Sequence, residues 1–123
     1  MNIQTLLEQI KKHPDYHKAG MILCHNGVVR ETSREGEGVS GLEIKVDHDR
    51  LKEIIHEQKQ KNGIIEILIH INEGRLLKVG DDVMYLLVAG DIRENVISTL
   101  TDTLNMVKSE VTKKKQYFTR TNR

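Results

Sequence analysis

Two apolar runs, "IIEILIHI" (64–71) and "VMYLLVAG" (83–90), stand eleven residues apart and limit the fold more than any other part of the chain. Both are rich in branched aliphatic residues and read as strands, and the intervening "NEGRLLKVGDD" carries turn signals at both ends. With no Trp and one Phe, the core they build has to consist mostly of Leu, Ile and Val. The rest of the chain has to cover them. Ile3, Leu6, Leu7 and Ile10 follow helical spacing, and His13-Pro14 ends that helix, because the residue before a proline disfavours helical backbone. "AGMILCHNGVVR" (19–30) reads as a largely buried strand with an irregularity at Asn26-Gly27. Leu42, Ile44 and Val46 alternate with Glu43 and Lys45, the pattern of a half-buried strand. An aspartate near Asp47 or Asp49 can cap a helix bearing Leu51, Ile54 and Ile55, which Asn62-Gly63 would stop. The last helix runs from about Arg93 to Val111. The order αββαββα predicts one α+β domain over residues 1–123, a mixed, mostly antiparallel sheet with helices packed on it, and residues 116–123 as a flexible tail.

Charge narrows the function. Nineteen Lys and Arg stand against 18 Asp and Glu, so no overall field draws the chain to nucleic acid or membrane, and any basic site has to be local. The first residues lack the apolar run and cleavage site of a signal peptide, no stretch approaches membrane-spanning length, and the one cysteine, Cys24, has no intrachain disulfide partner, so a cytoplasmic protein is expected. Cys24 reads as a core residue, since free cysteines are among the most often buried. His48, His56 and His70 have no ligand-like spacing, and no metal site is expected. "GEGVSG" (36–41) matches a dinucleotide fingerprint in letters only: a charged loop precedes it and a strand follows, whereas the mechanism needs a helix N-terminus there.

The C-terminal lysines carry more. On a helical wheel Val96, Leu100, Leu104, Val107 and Val111 form one stripe, and Lys108 falls at its border beside Leu104 and Ile97. Two readings stay open for Lys108: a stem laid on the core with its charge snorkelling outward, or a partly desolvated amine suited to chemistry. A continued helix would bury Lys114 in the apolar stripe, so the helix should end near Thr112 and leave Lys113 to Lys115 in a less regular segment that folds back.

The stretches "GVVR" (27–30), "GLE" (41–43), "GRLLKVGD" (74–81) and "IRENVISTLTDTLNMVKSEVTKKK" (92–115) resemble, in order and nearly end to end, the large, catalytic subunit of molybdopterin synthase. The resemblance implies a hammerhead-like α+β fold and a sulfurtransferase. Such an enzyme moves sulfur from the thiocarboxylated C-terminus of a small ubiquitin-like subunit to cyclic pyranopterin monophosphate, within a heterotetramer built on a dimer of large subunits. It implies no resident cofactor. Lys108, fifteen residues after Arg93, and Lys115, seven further on, match the family's two catalytic lysines, and Asp102 lies in the same helix. Arg30 and Arg93 match arginines that would hold the phosphate-bearing substrate, the geometry a guanidinium suits. Ile92 stands where the family carries the histidine of one His-Arg pair and Ile71-Asn72 where it carries a second such pair, Thr112 and Lys114 replace a proline and a tryptophan, and His25 replaces an aromatic residue. His25 would then offer substrate an imidazole from another direction. A non-catalytic binding module that keeps the fold and the partner groove is the alternative reading, and nucleic-acid binding through the basic terminus has little beside it to recommend it.

Overall fold

The structure, a computed structural model, describes residues 1–119. In chain order it contains α1 (Ile3–Lys11), a single 3-10 turn (Tyr16–Lys18), β1 (Met21–Val28), β2 (Val39–Val46), α2 (His48–Lys59), β3 (Ile64–Ile71), β4 (Leu77–Lys78), β5 (Asp82–Gly90), α3 (Arg93–Glu110) and β6 (Thr112–Phe118). The strands form two three-stranded sheets, β1-β5-β3 and β4-β2-β6. Every pairing between these strands is antiparallel.

The apolar run 83–90 becomes the central strand β5, buried continuously from Met84 to Gly90. Period-two alternation divides its side chains between two cores. Met84, Leu86 and Val88 meet Val96 and Val107 of α3 and Leu42 and Ile44 of β2 in the larger core. Tyr85, Leu87 and Ala89 face Leu6 and Ile10 of α1 in a smaller one. Burying a Leu, Val or Ile fully is worth about 1.5–3 kcal/mol each, so this two-sided strand contributes heavily to stability.

Local chemistry sets the helix limits. Asn2 Oδ1 accepts from the Thr5 N–H at 2.8 Å to cap α1, which ends just before His13-Pro14 as expected. Asp47 Oδ1 accepts from the Arg50 N–H at 3.1 Å and caps α2. Asp91 Oδ1 accepts from the Ile92 N–H at 2.7 Å and from Asn95 Nδ2 at 2.9 Å, which anchors the start of α3. Gly63 packs against that carboxylate with φ of 78°, and a Cβ there would lie 2.2 Å from Asp91 Oδ1, so the turn requires glycine twice over.

Four expectations change. The buried stripe of α3 is Val96, Thr99, Thr103 and Val107, with Leu100 and Leu104 only half-buried. The rotation is permitted because Gln58 Nε2 donates to Thr103 Oγ1 at 3.1 Å, which satisfies both buried groups. β1 is an edge strand bonded to β5 alone, and its residues are half-buried or exposed rather than largely buried. Cys24 is accordingly exposed, not a core residue. Residues 112–118 form β6, a regular strand paired with β2 from Val46↔Thr112 to Val39↔Phe118. Gln116 to Phe118, expected in a flexible tail, therefore belong to a sheet, while 120–123 of that tail lie outside the described residues. Among the described residues no helix is long and apolar enough to cross a membrane.

Candidate active site

A cavity of about 920 Å³ is lined by residues from both sheets and by the last turn of α3. Its apolar wall includes Val39, Leu42, Ile44 and Met84, and its polar groups include His25, Arg30, Arg34, Lys108 and Lys114. Among the described residues no Asp or Glu lines it. A concave site with an apolar wall and four obligate cations, unopposed by a carboxylate, selects an anionic ligand.

The end of β1 brings the first of these groups into place. The register between β1 and β5 shifts between Gly27 and Val28, the irregularity expected at Asn26-Gly27. Asn26 Nδ2 donates to Asp82 Oδ1 at 3.2 Å and the Tyr85 hydroxyl donates to Asp82 Oδ2 at 2.5 Å. Those two bonds, that of Tyr85 the stronger, hold the Asp82 carboxyl below the usual carboxylate range. The braced bulge turns the chain into Arg30, whose Nε donates to the Thr32 carbonyl at 2.9 Å. One guanidinium edge is thus tied to its own loop. The other nitrogens stay available to a ligand.

His25 reaches the cavity from β1 and Lys108 from α3. Burial, and after it the positive charge of Lys108, pushes the His25 imidazole below its ordinary pKa. The ring is therefore neutral at neutral pH and able to accept a proton. Lys108 itself is exposed at the cavity, at the C-terminal end of α3 where the helix dipole favours a cation, and not sunk in the core.

Of the groups singled out in the sequence, Lys108, Arg30 and His25 come together. Arg93 does not join them in one chain. It lies fifteen residues earlier on the same helix, about 22 Å away at the usual rise per residue, with an 81% exposed side chain beside Glu94. Asp102 is exposed and pairs loosely with Lys61 at 4.0 Å. Lys115 projects from the opposite face of β6 to the cavity: its Nζ lies 5.1 Å from the Tyr117 ring centroid, and the Tyr117 hydroxyl bonds Glu43. Lys114 lines the cavity instead, as does Arg34 of the β1–β2 loop. Both escaped the sequence reading. The signal for Lys114 was a period of two in Thr112, Lys114 and Gln116, visible only once the segment is known to be a strand.

No group of three or more His, Cys, Asp or Glu among the described residues is disposed to hold a metal ion. His48, one of the histidines considered for that role, pairs with Glu73 at 2.7 Å.

A family model described as MoaE protein matches residues 1–110. The chain belongs to the MoaE protein family. An uncharacterized protein of Methanocaldococcus jannaschii is 34% identical over 95 residues, which cover 74% of this chain and 79% of that one. A probable molybdopterin synthase of Haloferax volcanii is 26% identical over 116 residues, 90% of this chain, which spans only 44% of that longer protein. Among solved structures, molybdopterin synthase from Staphylococcus aureus has the same fold, with a TM-score of 0.79 at 20% identity over 98% of this chain and 88% of that one. A complex of subunits 1 and 2 of molybdopterin-converting factor from Helicobacter pylori contains a chain with a TM-score of 0.71 at 16% identity, covering 98% of this MoaE-family chain and 85% of that one.

Proposed function

We propose that the cavity is the sulfur-transfer site of a molybdopterin synthase. The chain is that enzyme's large subunit, a sulfurtransferase, and it acts on cyclic pyranopterin monophosphate with a small ubiquitin-like subunit as sulfur donor. One observation supports this reading above the others: in a MoaE-family chain, Lys108, Arg30 and His25 line a cavity to which no carboxylate among the described residues contributes.

Each role follows from the chemistry of its group. The donor's C-terminal thiocarboxylate is an anion, and the Lys108 ammonium is the group proposed to receive it and to stabilise charge as its carbonyl carbon loses sulfur. Each sulfur delivered forms a carbon–sulfur bond on the pterin in place of a carbon–oxygen bond, the displaced oxygen leaving as water or with the opening phosphate ester; on the donor the carbon–sulfur bond breaks and water supplies the oxygen that makes it an ordinary carboxylate. Arg30 takes the phosphate through its free guanidinium nitrogens. Neutral His25 accepts the proton that the transfer releases. Arg93 is out of reach within one chain, so its part in holding substrate requires a second copy, in keeping with a homodimer inside a heterotetramer. Lys115, which faces away from the cavity, takes no part in this proposal. The cytoplasm is the proposed compartment.

The test is reconstitution. Purified protein mixed with a thiocarboxylated partner and the pyranopterin should yield molybdopterin. No product at high enzyme concentration, with pairing of the two proteins verified, would overturn the proposal and leave a binding module.

A further inference from the structure

Resemblance directs attention to Lys115 as the second lysine of the site, yet β6 turns that side chain away. Strand alternation sends Thr112, Lys114 and Gln116 toward the cavity and Lys113, Lys115 and Tyr117 to the other side of the sheet. The register is held by seven paired residues, from Val39↔Phe118 to Val46↔Thr112, so Lys115 cannot exchange places with Lys114 without a slip that would also reverse every other side chain of the strand. Lys114 sits directly across from the buried Ile44, and Lys115 across from Glu43. Lys115 is also engaged, its ammonium lying over the Tyr117 ring whose hydroxyl bonds Glu43. By contrast the Lys114 side chain has no hydrogen-bond or ion-pair partner among the described residues, and it lines the same cavity as Arg30 and Arg34.

We infer that Lys114, not Lys115, is the second lysine of the cavity and holds an anionic group of the bound substrate there. This rests on the sulfur-transfer reading for the identity of the substrate. The chemistry needed is only that of a phosphate or carboxylate, for which a lysine acts as a mobile point charge beside the fixed fork of Arg30. Lys114 is a binding residue in this account, so it sets affinity more than the rate of the bound complex.

Calorimetric titration of cyclic pyranopterin monophosphate into wild type, Lys114→Ala, Lys114→Arg, Lys115→Ala and Lys113→Ala tests the assignment, with turnover measured on the same samples and folding checked by thermal melts. Loss of one charge-assisted contact should weaken binding about tenfold in Lys114→Ala and raise KM more than it lowers kcat. Lys114→Arg should restore most of the affinity, and Lys113→Ala and Lys115→Ala should stay within about twofold of wild type. A loss that follows Lys115 instead, or a Lys114→Ala variant within twofold of wild type, overturns the assignment and leaves the sulfur-transfer reading standing. That reading fails separately, in the wild-type sample, if the precursor binds and no product forms with the sulfur-loaded partner. Wild type that does not bind the precursor overturns both.

Discussion

The two sheets of this small domain are built on different terms. In β1-β5-β3 the central strand is buried on both faces, against α1 on one side and α3 on the other. In β4-β2-β6 only one face is apolar: Leu42 and Ile44 turn inward, while Glu43, Lys45, Lys113 and Lys115 project from the other side. The first sheet has little freedom to vary, because each side chain of β5 is wedged between packed neighbours. The second can change its charges at low cost, and the cavity draws Lys114 and Gln116 from it. The first sheet gives the cavity His25 and Met84, and α3 serves core and cavity alike: Val96 and Val107 in the core, Lys108 at the cavity.

The contrast can be broken most forcefully in the first sheet. Leu86→Ala, which removes a fully buried side chain at the centre of the larger core, should destabilise the protein by about 2–5 kcal/mol in denaturant unfolding. A loss under about 1 kcal/mol would mean that β5 is not the scaffold described. Next in size, Thr103→Val strips Gln58 Nε2 of its buried acceptor and should cost about 1–3 kcal/mol. If the double variant Thr103→Val with Gln58→Leu does not recover part of that loss, the pair is not the reason the stripe of α3 is rotated. Smallest, Lys113→Ala on the outer face of β6 should stay within about 0.5 kcal/mol of wild type.

His25 sharpens the comparison at the boundary between scaffold and cavity. Its pKa in the folded protein lies below the unfolded value, so the unfolded chain binds more protons as pH falls through the ordinary histidine range, and folding stability drops there. Above that range the imidazole is neutral in both states and this dependence vanishes. An NMR titration should find the His25 midpoint below 6.5. In Lys108→Ala the midpoint should rise only part of the way back, because burial is the larger cause and the lysine charge the lesser. A midpoint that does not respond to Lys108→Ala would separate the two residues.

Much of the scaffold was legible in the sequence because its signals are local. His13-Pro14 ends α1, Asp47 caps α2, and two apolar runs become β3 and β5. What escaped depends on contacts distant in sequence. "TKKKQYF" has the composition of a solvated tail, and it is a strand because β2, some seventy residues earlier, supplies a partner edge. β4, two residues long, carries no periodicity to find. Cys24 sits in an apolar stretch and is exposed because β1 lies at a sheet edge. The site divides the same way. Arg30, His25 and Lys108 were each marked by sequence and meet in the fold, whereas Lys114 was set aside on helical reasoning that does not apply to a strand.

The central claim is that Lys108 serves sulfur transfer in this cavity. Mass spectrometry of the small subunit's C-terminus before and after reaction, with wild type and with Lys108→Ala, tests it most directly. The account predicts that wild type converts thiocarboxylate to carboxylate only when the pyranopterin is present. It also predicts that Lys108→Ala, still folded and still bound to the partner, slows that conversion by about 10²–10³-fold. Conversion by Lys108→Ala at the wild-type rate would contradict it.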